Sequence, residues 1–546
     1  MLLKLLNKTT IILLLTVAMV SCKKLDLAPT DRFTEDNFWQ VNGNVNNALN
    51  TVYNRIFTSQ RYFYNEALSD NAFAQLEANI GTPTAIASGS NASFSPDLLR
   101  VLQDWTFYYQ GIYAANVFLE NADKNTTLGT ALLARMKAEA RFIRAYHYFN
   151  LINWFGDVPL LTKVISPDEA SLVSRTPKAD VLKFVLDELD AAVQALPKKE
   201  DYAIADRGRI TKGAAKAFKA KVLLYQGNRM AEVAAICEDL MNNKTVNGNY
   251  DLYPSYAALF SDPTKEYNAE VMFDLQYIPS VRTYDEPSRL IPISSGGAGE
   301  NYLAPTQELV DSYMMLNGKA INESGSGYDE NNPYVNRDPR LTATIVYDKY
   351  VWTNANGSTQ VIYIKPGTDP NSSKSNEYGS GLHTPTGYYW RKYYDPTAVN
   401  NQYNLNLILI RWAAILLMYA ESKNALGQMD ATVWDKTIKP IRARAGFTEA
   451  VALDYPGVSN MTNLIRNERR VEFALEGLRI DDIRRWKIAE TVMNGWVHGA
   501  KWGPAGTDNG YLRVTQRAFN PAKHYLWPIP SSELQRDPTL TQNPGW

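Results

Sequence analysis

Apolar residues recur at a helical spacing along most of the N-terminal half of the chain. Between residues 35 and 58 they follow one another at intervals of about 3.6, including Phe38 and Val45, and this predicts one helix. The same spacing predicts helices at 98–121 and 132–154. A series of long amphipathic helices indicates a core built from helices packed on helices.

Boundary residues define further helices. Pro177, with Thr176 as N-cap, is placed to open a helix that ends before Pro197. Residues 211–227 and 231–242 then predict a tight hairpin of two helices, because KGAAKAFKAKVLLYQGN offers small side chains and a tyrosine for packing against a neighbour. This arrangement is typical of tetratricopeptide-like repeats, so we expect a superhelix of helix pairs.

The pattern changes after about residue 271. The segments VMFDLQYI and ATIVYD alternate between apolar and polar residues, which predicts short strands. Long stretches rich in Gly, Ser and Asn intervene at 80–96, 321–338 and 354–387. Long loops of this kind in a compact protein usually carry function, so we expect an irregular, loop-rich lobe here.

Helical character returns near the C-terminus. From Leu405 the segment ILIRWAAILLMYAES is apolar nearly all round, and its length together with Arg411 favours a buried core helix over a membrane span. Gly427 is its expected stop. A further helix is predicted from Thr462, interrupted near Gly477. The fold class expected is mainly α, a tetratricopeptide-like helix-pair superhelix with an irregular loop-rich lobe that contains short strands.

The first residues predict export and lipidation. A basic start precedes an apolar stretch at 11–20, which is too short to span a bilayer and is typical of a signal peptide. Small residues before Cys22 are similar to a lipoprotein cleavage box, so we expect a signal peptide at 1–21 and a lipidated tether at 22–34. The alternative is ordinary secretion with an incidental cysteine.

Composition excludes several classes of function. The chain has 56 basic and 57 acidic residues, so it lacks the excess of positive charge typical of nucleic-acid binders. Its four histidines have no HxxxH or HExxH spacing, so no metal site is predicted. SSGGAG lacks the Lys-Ser/Thr ending of a P-loop, and GxSxG is absent. Cys237 is expected to be an inert helix residue. We therefore predict no cofactor.

The segment 465–487, IRNERRVEFALEGLRIDDIRRWK, is densely charged. Arg469 and Glu472 are three residues apart and Asp481 and Arg485 four apart, so each pair is able to meet on a helix. A carboxylate active site is one interpretation. An ion-pair lattice that locks the last helices in place is favoured, because alternating charges in helical register neutralise one another.

Long motifs along the chain resemble the SusD/RagB family of nutrient-binding outer-membrane lipoproteins. They are LDLAPTD, ARFIRAYHYFNLINWFGDVPL, GRITKGAAKAFKAKVLLYQGN, IRWAAILLMYAESKNALG, IRARAG, the charged segment above and YLWPIPSSELQRDPTLTQNPGW. The resemblance covers essentially the whole chain in order. It implies four tetratricopeptide-like helix pairs beneath an irregular lobe, with an N-terminal SusD-like region at 35–270 and a C-terminal SusD/RagB region at 271–546.

The resemblance also implies a function. Members are anchored to the outer membrane, face the exterior, and sit as a lid over a SusC-like TonB-dependent barrel transporter, to which they present their ligand. They perform no chemistry. The ligand expected is an oligosaccharide or glycan, and a peptide is the alternative.

The resemblance further implies where ligand binds. In the family the site lies on the irregular lobe, to which the loop after Ser69 contributes. Starch-binding members can carry Trp in that loop, and this chain has none there, so starch itself is disfavoured. A sugar ring stacks on an aromatic face while its hydroxyls need fixed donors and acceptors. The candidate ligand residues are Asp70, Phe73, Asn79, Tyr284, Arg289, Tyr302 and Trp352.

Two other functions compete with a transport-coupled binding protein. A glycoside hydrolase on a helical scaffold needs two carboxylates facing each other across a cleft, and no such pair stands out beyond the charged segment. A protein-binding scaffold of helix pairs is the other alternative.

Overall fold

A computed structural model describes residues 35–75, 83–88, 94–379 and 382–546. Most of the ordered backbone in these ranges is helical, as the sequence pattern predicts. The helices of six residues or more are α1 Asn42–Tyr53, α2 Ser59–Tyr64, α3 Pro83–Ser88, α4 Leu99–Asn121, α5 Thr130–Phe155, α6 Lys178–Ala195, α7 Lys212–Gln226, α8 Met230–Asn242, α9 Gln307–Ser312, α10 Pro339–Thr344, α11 Trp412–Ala425, α12 Ala431–Lys436, α13 Ile438–Ala445, α14 Met461–Glu472, α15 Arg479–Arg485 and α16 Ser531–Arg536.

The strands are short and form antiparallel pairs. Among the described residues, each sheet consists of only two strands. The sheets are β1–β3, β2–β8, β4–β7, β5–β6 and β9–β10. The strands are β1 Ala72–Ala74, β2 Val271–Leu275, β3 Leu303–Pro305, β4 Ile345–Val346, β5 Tyr350–Thr353, β6 Thr359–Ile362, β7 Tyr389–Trp390, β8 Leu407–Arg411, β9 Gly495–Gly499 and β10 Leu512–Arg517. Together with the helices they confirm the predicted fold class.

A stack of long helices forms what we refer to as the helical body. Helix α4 packs on α5, α5 on α6, α6 on α7, and α7 on α8. Close approach needs small side chains, and Gly111 of α4 supplies one: a Cβ there would lie 2.0 Å from Nε2 of His147 on α5. Burial lowers the pKa of His147 to about 3, so this imidazole is a neutral packing group.

The predicted hairpin of 211–242 is confirmed. The hydroxyl of Thr211 accepts a hydrogen bond from the backbone N–H of Ala214 at 3.1 Å, which caps the start of α7. Gly227 ends the helix in a left-handed conformation, with φ at +77°. Both boundaries follow from residues next to them in sequence.

A long excursion, which we refer to as the lobe, leaves the body after α8 and returns at α11. Helices α8 and α11 pack on each other, and α11 packs on α14. The lobe therefore comprises residues 243–411, and the β9–β10 hairpin packs beside its helix α9. Pairing of β2 with β8 joins the two ends of the excursion.

Two predicted helices were wrong in their extent. Residues 35–58 form a helix at Glu35–Phe38 and then α1, because Trp39 turns into the core against Phe118, with 6.2 Å between ring centres. The helix predicted from Leu405 begins only at Trp412, since residues 407–411 pair with β2 as strand β8. Within the described ranges, no helix combines the length and apolar character needed to cross a membrane.

The charged segment forms a buried ion-pair lattice, as favoured from the sequence. The predicted partners were wrong, however. Arg469 pairs with Asp482 at 3.1 Å, and Arg485 pairs with Asp482 at 2.8 Å and with Glu421 at 2.5 Å. Glu472 is engaged instead by Arg340 and Arg411, which lie outside the segment, and the turn between α14 and α15, where Gly477 adopts φ of +68°, lets Asp482 of α15 meet Arg469 of α14.

The shorter α-helices have four residues each. They are Glu35–Phe38, Pro167–Ala170, Lys244–Asn247, Tyr256–Leu259, Ala450–Leu453 and Ala489–Val492.

Candidate functional site

Phe73 occupies the middle of strand β1. Its neighbours Ala72 and Ala74 are buried, whereas Phe73 is partly exposed. Since successive side chains on a strand point to opposite faces, the alanines face the core and the phenyl ring faces the other way. The residue opposite Phe73 on β3 is Ala304, which leaves room beside the ring.

Arg289 and Tyr302 lie next to this strand pair. The N–H of Gln75 donates to the carbonyl of Tyr302 at 3.1 Å, and the N–H of Tyr302 donates to the carbonyl of Arg289 at 3.1 Å. The guanidinium of Arg289 lies 5.1 Å from the centre of the Tyr302 ring and 2.6 Å from the carboxylate of Asp285. We refer to Phe73, Arg289 and Tyr302 as the β1–β3 edge. It brings three predicted ligand residues together.

Asp70 belongs to the interior instead. Its carboxylate lies 2.7 Å from Nε of Arg479 and 3.1 Å from Nη2 of Arg470. Burial alone would raise the pKa of Asp70, but the two guanidinium groups outweigh it and hold that pKa well below its usual range. The carbonyl of Asp70 also accepts the hydroxyl of Thr306 at 2.7 Å. Asp70 thus ties β1 to its neighbours, and we leave it out of the ligand surface.

Tyr284 and Trp352 are packing residues in this structure. The hydroxyl of Tyr284 donates to the carbonyl of Leu405 at 2.8 Å, and the ring is buried. Trp352 is fully buried, with its ring 4.7 Å from that of Tyr394 and 4.8 Å from the guanidinium of Arg391. Neither ring offers an open face, so neither is part of the surface proposed below.

The remaining predicted residues lie outside the described residues. Asn79 is five residues after the end of β1, in a stretch that is not among the described residues. The predicted lipidation site, Cys22, also lies outside them. Their roles stay predictions.

A second feature lies beside α9 and was not predicted from the sequence. Residues from α9 and from the β9–β10 hairpin enclose a cavity of about 440 Å³, which we refer to as the hairpin cavity. Its size is within the range of small-molecule sites. Its lining combines two aromatic rings with three carboxylates and an imidazole: Gln307, Glu308, Asp311, Trp496, His498, Asp508, Asn509 and Tyr511.

His498 organises the polar side of the hairpin cavity. Its Nδ1 lies 2.7 Å from the carboxylate of Glu308, and its Nε2 lies 3.0 Å from that of Asp508. Hydrogen bonding to Glu308, supplemented by Asp508, raises the pKa of His498 above its ordinary value. Hydrogen bonds from Arg513 and His498 lower the pKa of Asp508. The cavity is therefore polar, charged and internally fixed.

The hairpin cavity and the β1–β3 edge are adjacent. The N–H of Thr306, just before α9, donates to the carbonyl of Asn71 at 3.0 Å. Arg517 of β10 donates to the carbonyl of Ala72 at 2.5 Å. Strand β1 is thereby held between α9 and the hairpin, so both features belong to one region of the surface.

Sequence offered little signal for the hairpin cavity. Alternation in GWVHG and GYLRV favours a hairpin with Trp496, His498 and Tyr511 on it. Nothing local connects these residues to Glu308, which is 190 positions before His498.

A larger cavity on the helical body has a different character. A groove of about 880 Å³ runs along α4 on the helical body and is lined mostly by apolar side chains, including Trp39, Tyr109, Tyr113 and Phe118. A sugar placed there would lose water from its hydroxyls and meet a mostly apolar wall, with polar partners such as Arg55, Gln110 and Glu533 at only part of the lining. For a polar ligand the lobe is the better site.

Asp274 and Glu266 form a carboxyl pair outside the ion-pair lattice, and a glycoside hydrolase would need such a pair. Burial raises the pKa of both Asp274 and Glu266 to about 7. Asn406 bonds to each, with its side-chain amide 2.9 Å from Asp274 and its N–H 2.8 Å from Glu266. Asp274 is buried on strand β2, and neither carboxyl lines the hairpin cavity or the α4 groove. The pair therefore lies apart from both of these cavities.

The described ranges hold no group of three or more His, Cys, Asp or Glu side chains placed to bind a metal ion.

Comparison with known proteins agrees with the fold. The solved structure of a SusD-like carbohydrate binding protein from Bacteroides fragilis matches with a TM-score of 0.81 and 29% identity, covering 92% of this chain and 100% of that one. A structure described as a laminarin binding SusD-like protein matches with a TM-score of 0.68 and 25% identity, covering 92% and 99%. SusD-like protein P25 of Formosa agariphila is 26% identical over 96% of this chain and 95% of its own.

Family models match both halves of the chain. Residues 23–224 match a model described as starch-binding associating with outer membrane. Residues 269–546 match the model of the SusD family. Together with the helical body and the loop-rich lobe, these matches show that the chain belongs to the SusD family.

Proposed function

We propose that this protein binds an oligosaccharide or glycan where its lobe meets strand β1 and the β9–β10 hairpin, without catalysing a reaction, and delivers it to a SusC-like TonB-dependent transporter of the outer membrane. The observation that carries the proposal is the adjacency of the β1–β3 edge and the hairpin cavity. The β1–β3 edge supplies the partly exposed ring of Phe73 and, next to it, the guanidinium of Arg289 over the buried ring of Tyr302, and the hairpin cavity supplies aromatic walls with fixed carboxylates.

This combination suits a sugar. The C–H face of a pyranose packs on an aromatic ring through dispersion, while its hydroxyls donate to carboxylates and accept from guanidinium groups. Such binding needs no nucleophile and no acid–base pair across a scissile bond. The names of two relatives, carbohydrate binding and laminarin binding, support a glycan over a peptide.

Delivery to a transporter follows from family membership and from the expected anchor. In this proposal a lipid on Cys22 holds the chain at the outer membrane. The family model that matches residues 23–224 is described as associating with outer membrane, which supports the location. The exterior leaflet is the side on which a nutrient is met.

Binding and hydrolysis are separated by one experiment. Full-length protein, purified in detergent, is applied to a glycan array, and each bound glycan is then incubated with the protein and assayed for new reducing ends. We expect binding without new reducing ends. Release of reducing ends would replace the binding role by hydrolysis. Failure to retain any glycan, with retention of peptides in a parallel screen, would transfer the function to peptide uptake.

The anchor is tested with Cys22→Ala. We expect the variant protein to move from the membrane fraction to the soluble fraction, because the thioether-linked acyl chains are its attachment. Cys237→Ala is the matched control: this thiol is fully buried in α8, and its loss should leave fractionation unchanged. A Cys22→Ala protein that still needs detergent for extraction would contradict the lipoprotein assignment.

A further inference from the structure

The aromatic walls of the hairpin cavity are held in place. Trp496 is 36% exposed, and the guanidinium of Arg513 lies 4.9 Å from the centre of its ring. The ring of Tyr511 lies 6.0 Å from that of His498, at an interplanar angle of 57°. A large exposed ring braced by a cation is a rigid platform, which binds a sugar face with little loss of conformational entropy.

The carboxylates of the cavity are oriented by their neighbours. Glu308 lies 2.7 Å from Nδ1 of His498, and two bonds of 2.6 and 2.8 Å join Asp508 to Arg513. The side chain of Asp311 accepts from Gln307 at 2.7 Å. An ionised carboxylate has about four acceptor positions, so each of these groups keeps positions free for a ligand.

Negative charge dominates the lining. It comprises three carboxylates, those of Glu308, Asp311 and Asp508, against the single imidazole of His498. Burial raises the pKa of Asp311, which favours the protonated form of this carboxyl. Carboxylates outnumber the imidazole even with Asp311 neutral and His498 charged.

The cations around the cavity already have partners. Arg513 forms two hydrogen bonds to Asp508, and its positive charge offsets the negative charge of this carboxylate. The others are Arg517, which donates to the carbonyl of Ala72 at 2.5 Å, Arg470, which pairs with Asp70 at 3.1 Å, and Lys501, which pairs with Glu330 at 2.8 Å.

From this geometry we infer that the hairpin cavity selects sugar residues that are neutral or carry an amino group, and rejects those that carry a carboxylate or sulfate. The inference rests on the proposed function and names its substrate class. Hydroxyl and ammonium groups donate hydrogen bonds, which the carboxylates accept. A uronate or sulfate group instead offers acceptors to acceptors and places like charges together.

The first test uses the same glycan array, with the immobilised glycans grouped as neutral, amine-bearing, uronate-containing and sulfated. We expect full-length protein to retain neutral or amine-bearing glycans and no anionic ones at pH 7. Trp496→Ala should weaken retention of those glycans at least about tenfold, since it removes the platform. Tyr113→Ala, which removes an exposed ring on the helical body, should leave affinity unchanged.

The second test changes the charge alone. In the double variant Glu308→Gln, Asp311→Asn, the shape of the cavity is kept while two of its negative charges are removed. We expect affinity for an amine-bearing chitosan oligosaccharide to fall about tenfold or more, and that for an oligogalacturonate to rise. Asp187→Asn, an exposed carboxylate on α6, is the matched control and should change neither.

The outcomes separate the two proposals. Retention of no glycan of any class would end the proposed function together with this inference. Retention of uronate or sulfated glycans by the native protein, or glycan binding that is unaffected by Trp496→Ala, would end the inference and leave glycan binding standing. A fold change shared by the Asp187→Asn control would show a general effect of net charge and would also overturn it.

Discussion

The helical body and the lobe are held together by different forces. In the body, each long helix from α4 to α8 packs on the next one in sequence, through apolar side chains such as Leu189 and Leu223 that are fully buried. In the lobe, strands β2 to β8 have only two to five residues, in two-stranded pairs, among the described residues. Such pairs are marginally stable by themselves. The lobe therefore depends on what joins it to the body.

Buried ion pairs make that junction. Arg340 of α10 lies within 2.8 Å of Asp338, Glu468 and Glu472, and Arg411 of β8 lies within 2.8 Å of three carboxylates that include Glu472. Burial alone would raise the pKa of Glu472, but the surrounding guanidinium groups outweigh it and hold that pKa well below its usual range. Apolar packing between helices that are neighbours in sequence therefore builds the body, whereas ion pairs between residues far apart in sequence position the lobe.

The largest effect is expected at this junction. Arg340→Met leaves three buried carboxylates without their common cation, and we expect unfolding to become easier by about 3–5 kcal/mol. Thermal unfolding followed by circular dichroism measures the change. Lys183→Met, which breaks an exposed pair with Asp187 on α6, is the control and should cost less than about 1 kcal/mol. Equal losses in the two variants would mean that the junction does not depend on buried charge.

The body should respond to lost volume. Leu189→Ala removes a fully buried side chain from α6, and we expect a loss of about 2–5 kcal/mol from the cavity and the lost transfer free energy. The same thermal measurement applies. Leu172→Ala, at a side chain that is 67% exposed, should stay within about 0.5 kcal/mol of the native protein. A loss at Leu189 no larger than that at Leu172 would contradict apolar packing as the source of body stability.

A buried carboxyl at the base of the lobe predicts a dependence on pH. Burial raises the pKa of Asp274 to about 7, above its value in the unfolded chain. The protonated group is therefore the one that folding favours: its contribution to stability is complete below the unfolded pKa and is lost as pH rises through about 7. Asp274→Asn cannot ionise, so we expect it to unfold later than the native protein at pH 8, by on the order of 1–3 kcal/mol, and less so at pH 5.

Melting temperatures of both proteins across pH 5 to 8 test this expectation. Asp454→Asn, at an exposed carboxylate, is the control and should follow the native curve. A native melting temperature that is flat between pH 6 and pH 8 would argue against the raised pKa.

The smallest expected effect is on ligand affinity, and it separates exposed from buried aromatics of the lobe. Phe73→Ala should weaken glycan binding by about tenfold, or about 1.4 kcal/mol, with little change in melting temperature, because the ring is partly exposed on β1. Tyr284→Ala should lower the melting temperature instead, since its ring is buried between Phe63 and Tyr277. Calorimetric titration with a glycan from the array gives the affinities. The reverse result would exchange the roles assigned to these two residues.

The predicted ligand residues show how far sequence reasoning reached. Phe73, Arg289 and Tyr302 were expected to act together, and strand pairing places them side by side. Their role in ligand binding stays a prediction. The sequence did not separate Asp70 and Trp352 from these three residues. In the structure, the carboxylate of Asp70 is held by two arginines and the ring of Trp352 is fully buried. Burial depends on elements packed over a residue, and those elements come from elsewhere in the chain.

The ion-pair lattice shows the same limit. Its existence followed from the density of alternating charge in 465–487, but its partners did not. Glu421, Asp338 and Arg340 lie outside that segment, so helical spacing within it gave the wrong pairs.

By itself, the sequence determined what depends on near neighbours. The hairpin of α7 and α8, its cap at Thr211 and its stop at Gly227 follow from contacts within a few residues, and the family follows from motifs read in order. Only the tertiary structure decided that 407–411 is a strand and that Glu308, His498 and Asp508 share one cavity. Helical periodicity reflects contacts between residues three or four positions apart, so it can be seen in the sequence. Strand pairing and cavity lining depend on contacts between distant segments, for which the sequence has no fixed spacing.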